Sequence, residues 1–409
     1  MPPPVSPTHV AYLVAHYPAV SHTFIDREIG GLRARGVRID TLSVRPAAEA
    51  DLLTEEDRRA ARETFTILPP RPLRFARAHA RALARDASAY AGTLVAALRM
   101  GGRSPRDTLW QLFYFAEAIL AWDELDRRGI RHVHAHFANV ATAIAMLAAR
   151  YGGLSWSFTM HGPTEFDDVT RYALADKVRA ASFVAVIGHY ARSQLMKLVE
   201  PEHWEKLRIV RCGVDTERFA PVDRGDRPAH APLEVLCVGR LVPDKGQGIL
   251  LEALAALRAG GTDARLTLVG DGPDRAGLEA RTRELGLDGA VTFTGSVGQD
   301  RIRDHYAAAD VFCLPSFAEG IPVVLMEAMA TGLPVVTTQI MGIPELVADM
   351  LVPPGDVAAL HDALAALAAD PARRAALGEA GRARVVEAFR IEDAAAALEP
   401  LLRAAAGAR

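Results

Sequence analysis
Short runs of β-branched and other apolar residues recur along the whole chain, separated by stretches whose apolar positions lie three and four residues apart. The runs at 10–15, 37–44, 132–135, 156–160, 183–187 and 207–210 read as strands, and the stretches between them as amphipathic helices. After Arg218 the segment 219–232 loses this periodicity and collects Pro, Gly and Asp, which predicts a linker. The alternation then resumes, with strands expected at 234–238, 265–269, 291–293, 311–314, 334–338 and 351–352. Strand and helix repeats of this kind build parallel sheets covered on both faces. The pattern predicts two doubly wound α/β domains, 1–218 and 219–389, with function in the loops after strands and a site in the cleft between the domains. The last stretch, 390–409, spaces Ala and Leu as a helix does, and is expected to pack back towards the first domain.

Composition narrows the class. Of 409 residues, 24% are charged and 50% hydrophobic, and the net charge is −3, the profile of a folded globular protein rather than a disordered chain or a polycation for nucleic acid. Cys212, Cys237 and Cys313 are odd in number and far apart, so neither a disulfide framework nor a cysteine metal site is expected. No apolar run approaches the roughly 18 residues of a spanning helix, and the first residues lack a secretory pattern, so a cytoplasmic setting is expected. Charge is uneven: residues 57–106 hold eleven Arg against Asp57, Glu63 and Asp86, a local +8 that leaves −11 for the rest. Arg71, Arg74, Arg77, Arg81 and Arg85 recur at helical spacing, so a cationic helix face for an anionic membrane surface or an anionic acceptor is expected there.

Two loops carry candidate chemistry. Gly239-Arg240 and Lys245-Gly246 stand between a strand and a helix, where a glycine admits a ligand to the backbone and two cations beside a helix N-terminus suit a diphosphate. Lys is scarce, four residues against 43 Arg, so its use here points to a need for a compact charge. Gly246 follows the Lys where Ser or Thr would hold magnesium, which excludes a Walker A loop. The second loop runs from Glu319 through Gly320, Ile321, Pro322 and Val323 to Glu327. Pro322 suits a first helical turn, freeing amides around Gly320 and Ile321 for an anion. Eight residues of helix put the two carboxylates about 12 Å or less apart along the axis. That suits the two ends of an extended ligand rather than a close catalytic dyad.

These residues, together with Gly270-Asp-Gly272, Phe293-Thr-Gly295 and Gly342-Ile-Pro-Glu345, resemble the retaining family 4 glycosyltransferases of the GT-B architecture, two Rossmann-like domains facing across a cleft, over nearly the whole chain. The resemblance implies a nucleotide-diphosphate sugar as co-substrate, UDP- or GDP-linked, with no further cofactor. It implies that Arg240 and Lys245 neutralise the diphosphate, Glu319 binds donor-sugar hydroxyls and Glu327 the ribose. It also implies that Gly239 and Gly270 border the nucleotide, that Gly295, Ser296 and Val297 lie along the base, and that the backbone of Gly320, Ile321, Pro322 and Val323 surrounds the distal phosphate, with N–H donors from all but Pro322. In the N-terminal half, His161 is similar to the histidine that faces the donor. Ser21, His22, Thr23 and His136 occupy the acceptor side and resemble the exopolysaccharide-building members. Ile321-Pro322 stands where many members carry Phe-Gly, and the segment 347–352 is shorter than usual near the base side.

No carboxylate nucleophile is evident, so the resemblance favours front-face departure and attack, in which the leaving phosphate takes the acceptor's proton. Asp-x-Asp is absent from the chain, so metal-independent activity with no metal ligands is expected. Acceptors would be sugars, lipid-linked or small molecules, without nucleic acid. A sugar-nucleotide epimerase or an idle sugar-nucleotide-binding subunit of the same architecture is the alternative, and a dinucleotide dehydrogenase lacks its Gly-x-Gly-x-x-Gly loop.

Overall fold
Beta-branched runs flanked by glycine and helix caps make a strand at nearly every predicted position in the computed structural model, which describes residues 8–100, 104–222 and 231–407. The first unit comprises residues 1–211 and 394–409, the second 212–393. Unit one opens with β1 (His9–His16), α1 (Thr23–Ala34), β2 (Arg38–Arg45), α2 (Glu55–Glu63) and β3 (Phe65–Thr66). It continues with α3 (Pro72–Arg85), α4 (Ala87–Arg99), α5 (Pro105–Arg127), β4 (His132–His136), α6 (Val140–Gly152) and β5 (Ser155–Met160). It closes with α7 (Leu174–Ala180), β6 (Val184–Val186), α8 (His189–Met196) and β7 (Leu207–Ile209). Unit two holds β8 (Leu233–Val238), α9 (Gln247–Ala259), β9 (Ala264–Val269), α10 (Arg275–Glu284), β10 (Val291–Gly295) and α11 (Ile302–Ala308). After these come β11 (Val311–Leu314), α12 (Val323–Ala330), β12 (Val335–Thr338), β13 (Leu351–Val352), α13 (Val357–Ala369) and α14 (Pro371–Ala388), before α15 (Ile391–Gly407).

Both sheets are parallel throughout. The first runs β3-β2-β1-β4-β5-β6-β7 and the second β10-β9-β8-β11-β12-β13, so the order reverses at β1/β4 and at β8/β11. Ligands bind at such switch points, beyond the carboxyl ends of the strands, and the loops after these four strands carry most of the candidate residues. One face of the first sheet packs Tyr12, Ile25, Ile29, Leu32, Phe183, Leu398 and Leu402 into a core that combines α1 with α15. The other face carries the larger core under α3 to α7.

Three differences from the sequence reading have physical causes. The strand β3 is only two residues long, too short to show a period, and pairs with Leu42 and Ser43 of β2. Residues 212–218 lie in the second unit rather than the first, because Val214 bridges to Arg390 and the adjoining Phe219 is fully buried with its ring 5.9 Å from that of Tyr306. The expected linker falls mostly on residues 223–230, outside the described residues. The cationic face of α3 is largely spent internally: Arg74 pairs with Glu124, Arg81 with Asp123 and Asp126, and Arg85 with Asp126 at 3.1 Å, all acids of α5. Arg81 and Arg85 also lie over the Trp122 ring at 5.0 and 5.2 Å.

Candidate active site
In the second unit the loop after β8 is held against the loop after β11 by backbone contacts that only glycine permits. Gly246 has φ +66, and a Cβ there would stand 2.1 Å from the carbonyl oxygen of Pro315. Gly270 has φ +134, and a Cβ there would stand 2.1 Å from the carbonyl of Gly239. The Phe317 amide donates to the Asp244 carbonyl at 2.7 Å, tying the same two loops. This closeness brings Lys245 Nζ into an ion pair with Glu319 Oε1, which also accepts from Ser316 Oγ at 2.8 Å. Glu319 is 7% exposed. Its charge is thus met by the lysine ammonium and by the hydroxyl's hydrogen bond.

Arg240 is exposed, and its guanidinium has no hydrogen-bond or ion-pair partner among the described residues. Gln247, the first residue of α9, donates from Nε2 to the Arg240 carbonyl at 3.0 Å and so fixes the loop. An uncompensated arginine, a lysine and the free amides at the start of α9 together form a positive, anion-accepting corner. Glu327, 2% exposed on α12, accepts from Tyr306 Oη at 2.8 Å. The helix α12 begins at Val323 with Pro322 as its N-cap, so Pro322 precedes the first turn and only half of the Glu319 to Glu327 spacing is helical. No side chain caps this end, which leaves its first amides open to a ligand. Gly320 is half-buried and Ile321 buried beside it. Gly295 ends β10 and exchanges a backbone bond with Gly270 at 2.9 Å, followed by exposed Ser296 and half-buried Val297.

In the first unit, Ser21 and His22 lie in the turn after β1, and Thr23 opens α1. His22 Nδ1 lies 3.1 Å from the His16 carbonyl, and burial lowers its pKa. His161 follows β5, is 8% exposed, and packs its ring 4.5 Å from Phe24 and 4.9 Å from Phe137. Burial, with the charge of His22 second, pushes the His161 imidazole down to about 3, so it serves as a neutral ring at pH 7. His136 is fully buried: it reaches His161 Nε2 through Nδ1 at 2.8 Å rather than any acceptor in solvent. The sequence reading set His136 on the acceptor side; in the structure its side chain is buried and meets His161.

A polar ladder lies behind it. His132, His134 and His136 share one face of β4, and Ser155, Ser157 and Thr159 stand beside them on β5 in register. Ser157 Oγ joins His132 Nε2 at 2.8 Å to His134 Nδ1 at 2.7 Å, and Thr159 Oγ1 lies 2.8 Å from His134 Nε2. Glu28, His134 and His136 could each offer one metal-ligand atom within 4.8 Å of the others. Both ring nitrogens of His134 are already engaged, so this trio reads as hydrogen-bonded core. The supports Gln247, Ser316, Tyr306, Tyr12 and Glu28 were not singled out from sequence. Ser316, three residues before Glu319, was the one within reach of a local reading.

Comparison with known proteins shows the family. Residues 232–370 match the family described as Glycosyl transferases group 1. A GDP-mannose-dependent alpha-(1-6)-phosphatidylinositol monomannoside mannosyltransferase of Mycolicibacterium smegmatis is 37% identical over 236 residues, which span 52% of this chain and 60% of that one. The enzyme of the same description from Mycobacterium tuberculosis is 33% identical over 294 residues, 66% of this chain and 73% of that one. Among solved structures, Anabaena HepE in complex with UDP and glucose superposes with a TM-score of 0.74 at 19% identity, covering 97% of this chain and 100% of that one, a likeness of fold.

Proposed function
Since this chain belongs to the group 1 glycosyltransferases, we propose that it moves a sugar, with retention and without a metal, from a UDP- or GDP-sugar to the hydroxyl of a sugar, lipid-linked or small-molecule acceptor. The observation that carries this reading is the corner built by exposed Arg240, the Lys245–Glu319 pair and the start of α9 at the carboxyl end of β8. In the proposed step the bond between the anomeric carbon and the phosphate oxygen breaks while charge grows on the diphosphate, and the acceptor oxygen bonds the anomeric carbon from the same face. Arg240, Lys245 and helix amides stabilise that charge, and the departing phosphate oxygen receives the acceptor's proton. Glu319 would hold sugar hydroxyls from the face where Lys245 meets the phosphate, and Glu327, oriented by Tyr306, the ribose. The second unit would then be the donor domain and the first the acceptor domain, with His161 as a neutral hydrogen-bonding ring. The activity of the mycobacterial relatives favours GDP-mannose and a phosphoinositide-type acceptor as first candidates.

Peripheral contact with an anionic membrane, at the inner face of a cell membrane, belongs to the same proposal, carried by different residues. Arg77 remains exposed on α3, and Leu109, Trp110 and Phe113 of α5 are 52, 37 and 49% exposed beside exposed Arg106. Among the described residues, no helix is long and apolar enough to cross a membrane. The proposal is tested by thermal shift with UDP-, GDP-, ADP- and dTDP-sugars, where a donor at 100 times its Kd adds about 2.7 kcal/mol. Stabilisation by one nucleotide class supports it, and no shift with any of them overturns it.

A further inference from the structure
His161 is linked through His136 to a buried carboxylate. His136 Nδ1 lies 2.8 Å from His161 Nε2, and the other nitrogen, Nε2, makes no hydrogen bond but faces Glu28 Oε1 at 3.5 Å. That same oxygen accepts from Tyr12 Oη at 2.7 Å. The titratable groups around Glu28 and the two rings are Tyr12 from β1, His134 and His136 from β4, His161 after β5, and His22 from the turn before α1. The other helix of this layer, α15, contributes apolar Ala395, Leu398 and Leu402 to it.

Burial keeps both imidazoles neutral, so each carries one ring proton. A 2.8 Å contact between them needs one N–H and one lone pair, which allows two arrangements. In one, His136 holds its proton on Nε2 toward Glu28, its Nδ1 accepts from His161 Nε2–H, and His161 keeps a lone pair on Nδ1. In the other, His136 Nδ1–H donates to His161 Nε2, and the His161 proton sits on Nδ1. A negative carboxylate facing His136 Nε2 favours the first, whereas a protonated Glu28 can donate to that nitrogen and favours the second.

We propose that Glu28 is a positioning residue: its carboxylate, acting through His136, sets the His161 tautomer and with it whether the ring accepts or donates toward a substrate. The inference rests on the proposed role of His161 as a hydrogen-bonding ring for substrate. Burial pushes Glu28 up to about 7, against the smaller opposing effect of the Tyr12 hydrogen bond, so the choice is made near neutral pH.

The test is side-chain 15N NMR of histidine-labelled full-length protein between pH 5.5 and 8.5, with signals assigned by their loss in His136→Asn and His161→Asn. At pH 8.5 both rings should carry the proton on Nε2, and both should move to Nδ1 as pH falls through about 7. Glu28→Gln should abolish that pH-dependent change. With a hydroxyl acceptor present, its initial rate of nucleoside diphosphate release from GDP-mannose or UDP-glucose should fall about 10-fold at pH 8.5, with donor KM changed less than 2-fold. An unchanged tautomer across this range in the wild type, or the same titration in Glu28→Gln, overturns the proposal. The wild-type titration needs no variant to fold. Because the spectra read the ring protons with or without sugar transfer, failure of the transferase reading would leave this result separately visible.

Discussion

Replacing Lys245 by Ala separates what the lysine does for the fold from what it does for the reaction. Its ammonium pairs with Glu319, whose side chain is 9% exposed while that of Lys245 is 25% exposed. Removing the cation leaves the carboxylate with the Ser316 hydroxyl, bonded at 2.8 Å. Water can reach a lysine exposed to this degree, so the stability loss is discounted from the several kcal/mol of a fully buried pair to about 1 kcal/mol. In a domain of this size that lowers Tm by about 2–4 °C. The catalytic loss should be larger. A charge-assisted contact to a phosphate oxygen that gains charge in the transition state contributes about 3 kcal/mol, or 10²-fold or more in rate. Adding Glu319→Gln to Lys245→Ala removes the stranded charge and should restore most of the Tm without restoring turnover. The assay is nucleoside diphosphate release alongside a thermal melt for wild type, Lys245→Ala and the double variant. Turnover that recovers with Tm would refute the reasoning, because the lysine would then act only through the fold.

Glu319→Gln should weaken use of the intact donor more than binding of the free nucleoside diphosphate, and Glu327→Gln should weaken both; isothermal calorimetry showing the reverse order would refute the placement. Tyr306→Phe removes the hydroxyl that orients Glu327 and should follow the Glu327 pattern more mildly, read by the same titrations. Burial pushes His132 and His161 down to about 3, below their unfolded values near 6.5. A base whose folded pKa is depressed gives stability that is present above about 6.5 and lost as pH falls, at up to ~1.4 kcal/mol per pH unit for each ring. His134 and His136, also lowered by burial, add to this loss, while Glu28 and Glu117, raised to about 7, and Asp26, raised to about 6, work in the opposite direction and offset part of it. Urea melts at pH 7 and pH 5 should therefore show a net decrease, and a flat profile would contradict it. Pelleting with anionic vesicles should fade with salt and be lost in an Arg77→Ser/Trp110→Ser/Phe113→Ser variant, while Arg81→Ser should change Tm instead; no pelleting at low salt would reject membrane docking.

Much of the architecture was legible because parallel strands buried on both faces are written as short β-branched runs, as in Val311–Leu314 and Val335–Thr338. The loop motifs were legible too, since Gly246 and Gly270 are required by close backbone approach and not by any distant partner's identity. What the chain order hides is pairing across long separations. Arg81 looked like a surface cation because its partners Asp123 and Asp126 lie more than forty residues away on another helix. The alternation His-Val-His-Ala-His marks a strand, and only its register against Ser155, Ser157 and Thr159 shows how three imidazoles are accommodated in a core. Glu28 looked like any acidic residue on the polar face of a helix, yet it is buried under Tyr12 and His136.

The central claim is sugar transfer from a nucleotide donor at the Arg240 and Lys245 corner. Its most direct measurement is release of nucleoside diphosphate by the purified chain from UDP- and GDP-sugars, with and without a panel of hydroxyl acceptors, in the presence of EDTA, with the new anomeric linkage read by proton NMR. The account predicts release that depends on acceptor, persists in EDTA, keeps the donor's anomeric configuration and falls at least 10²-fold in the Arg240→Ala/Lys245→Ala variant. Wild-type turnover in that variant, or an inverted linkage, would contradict it.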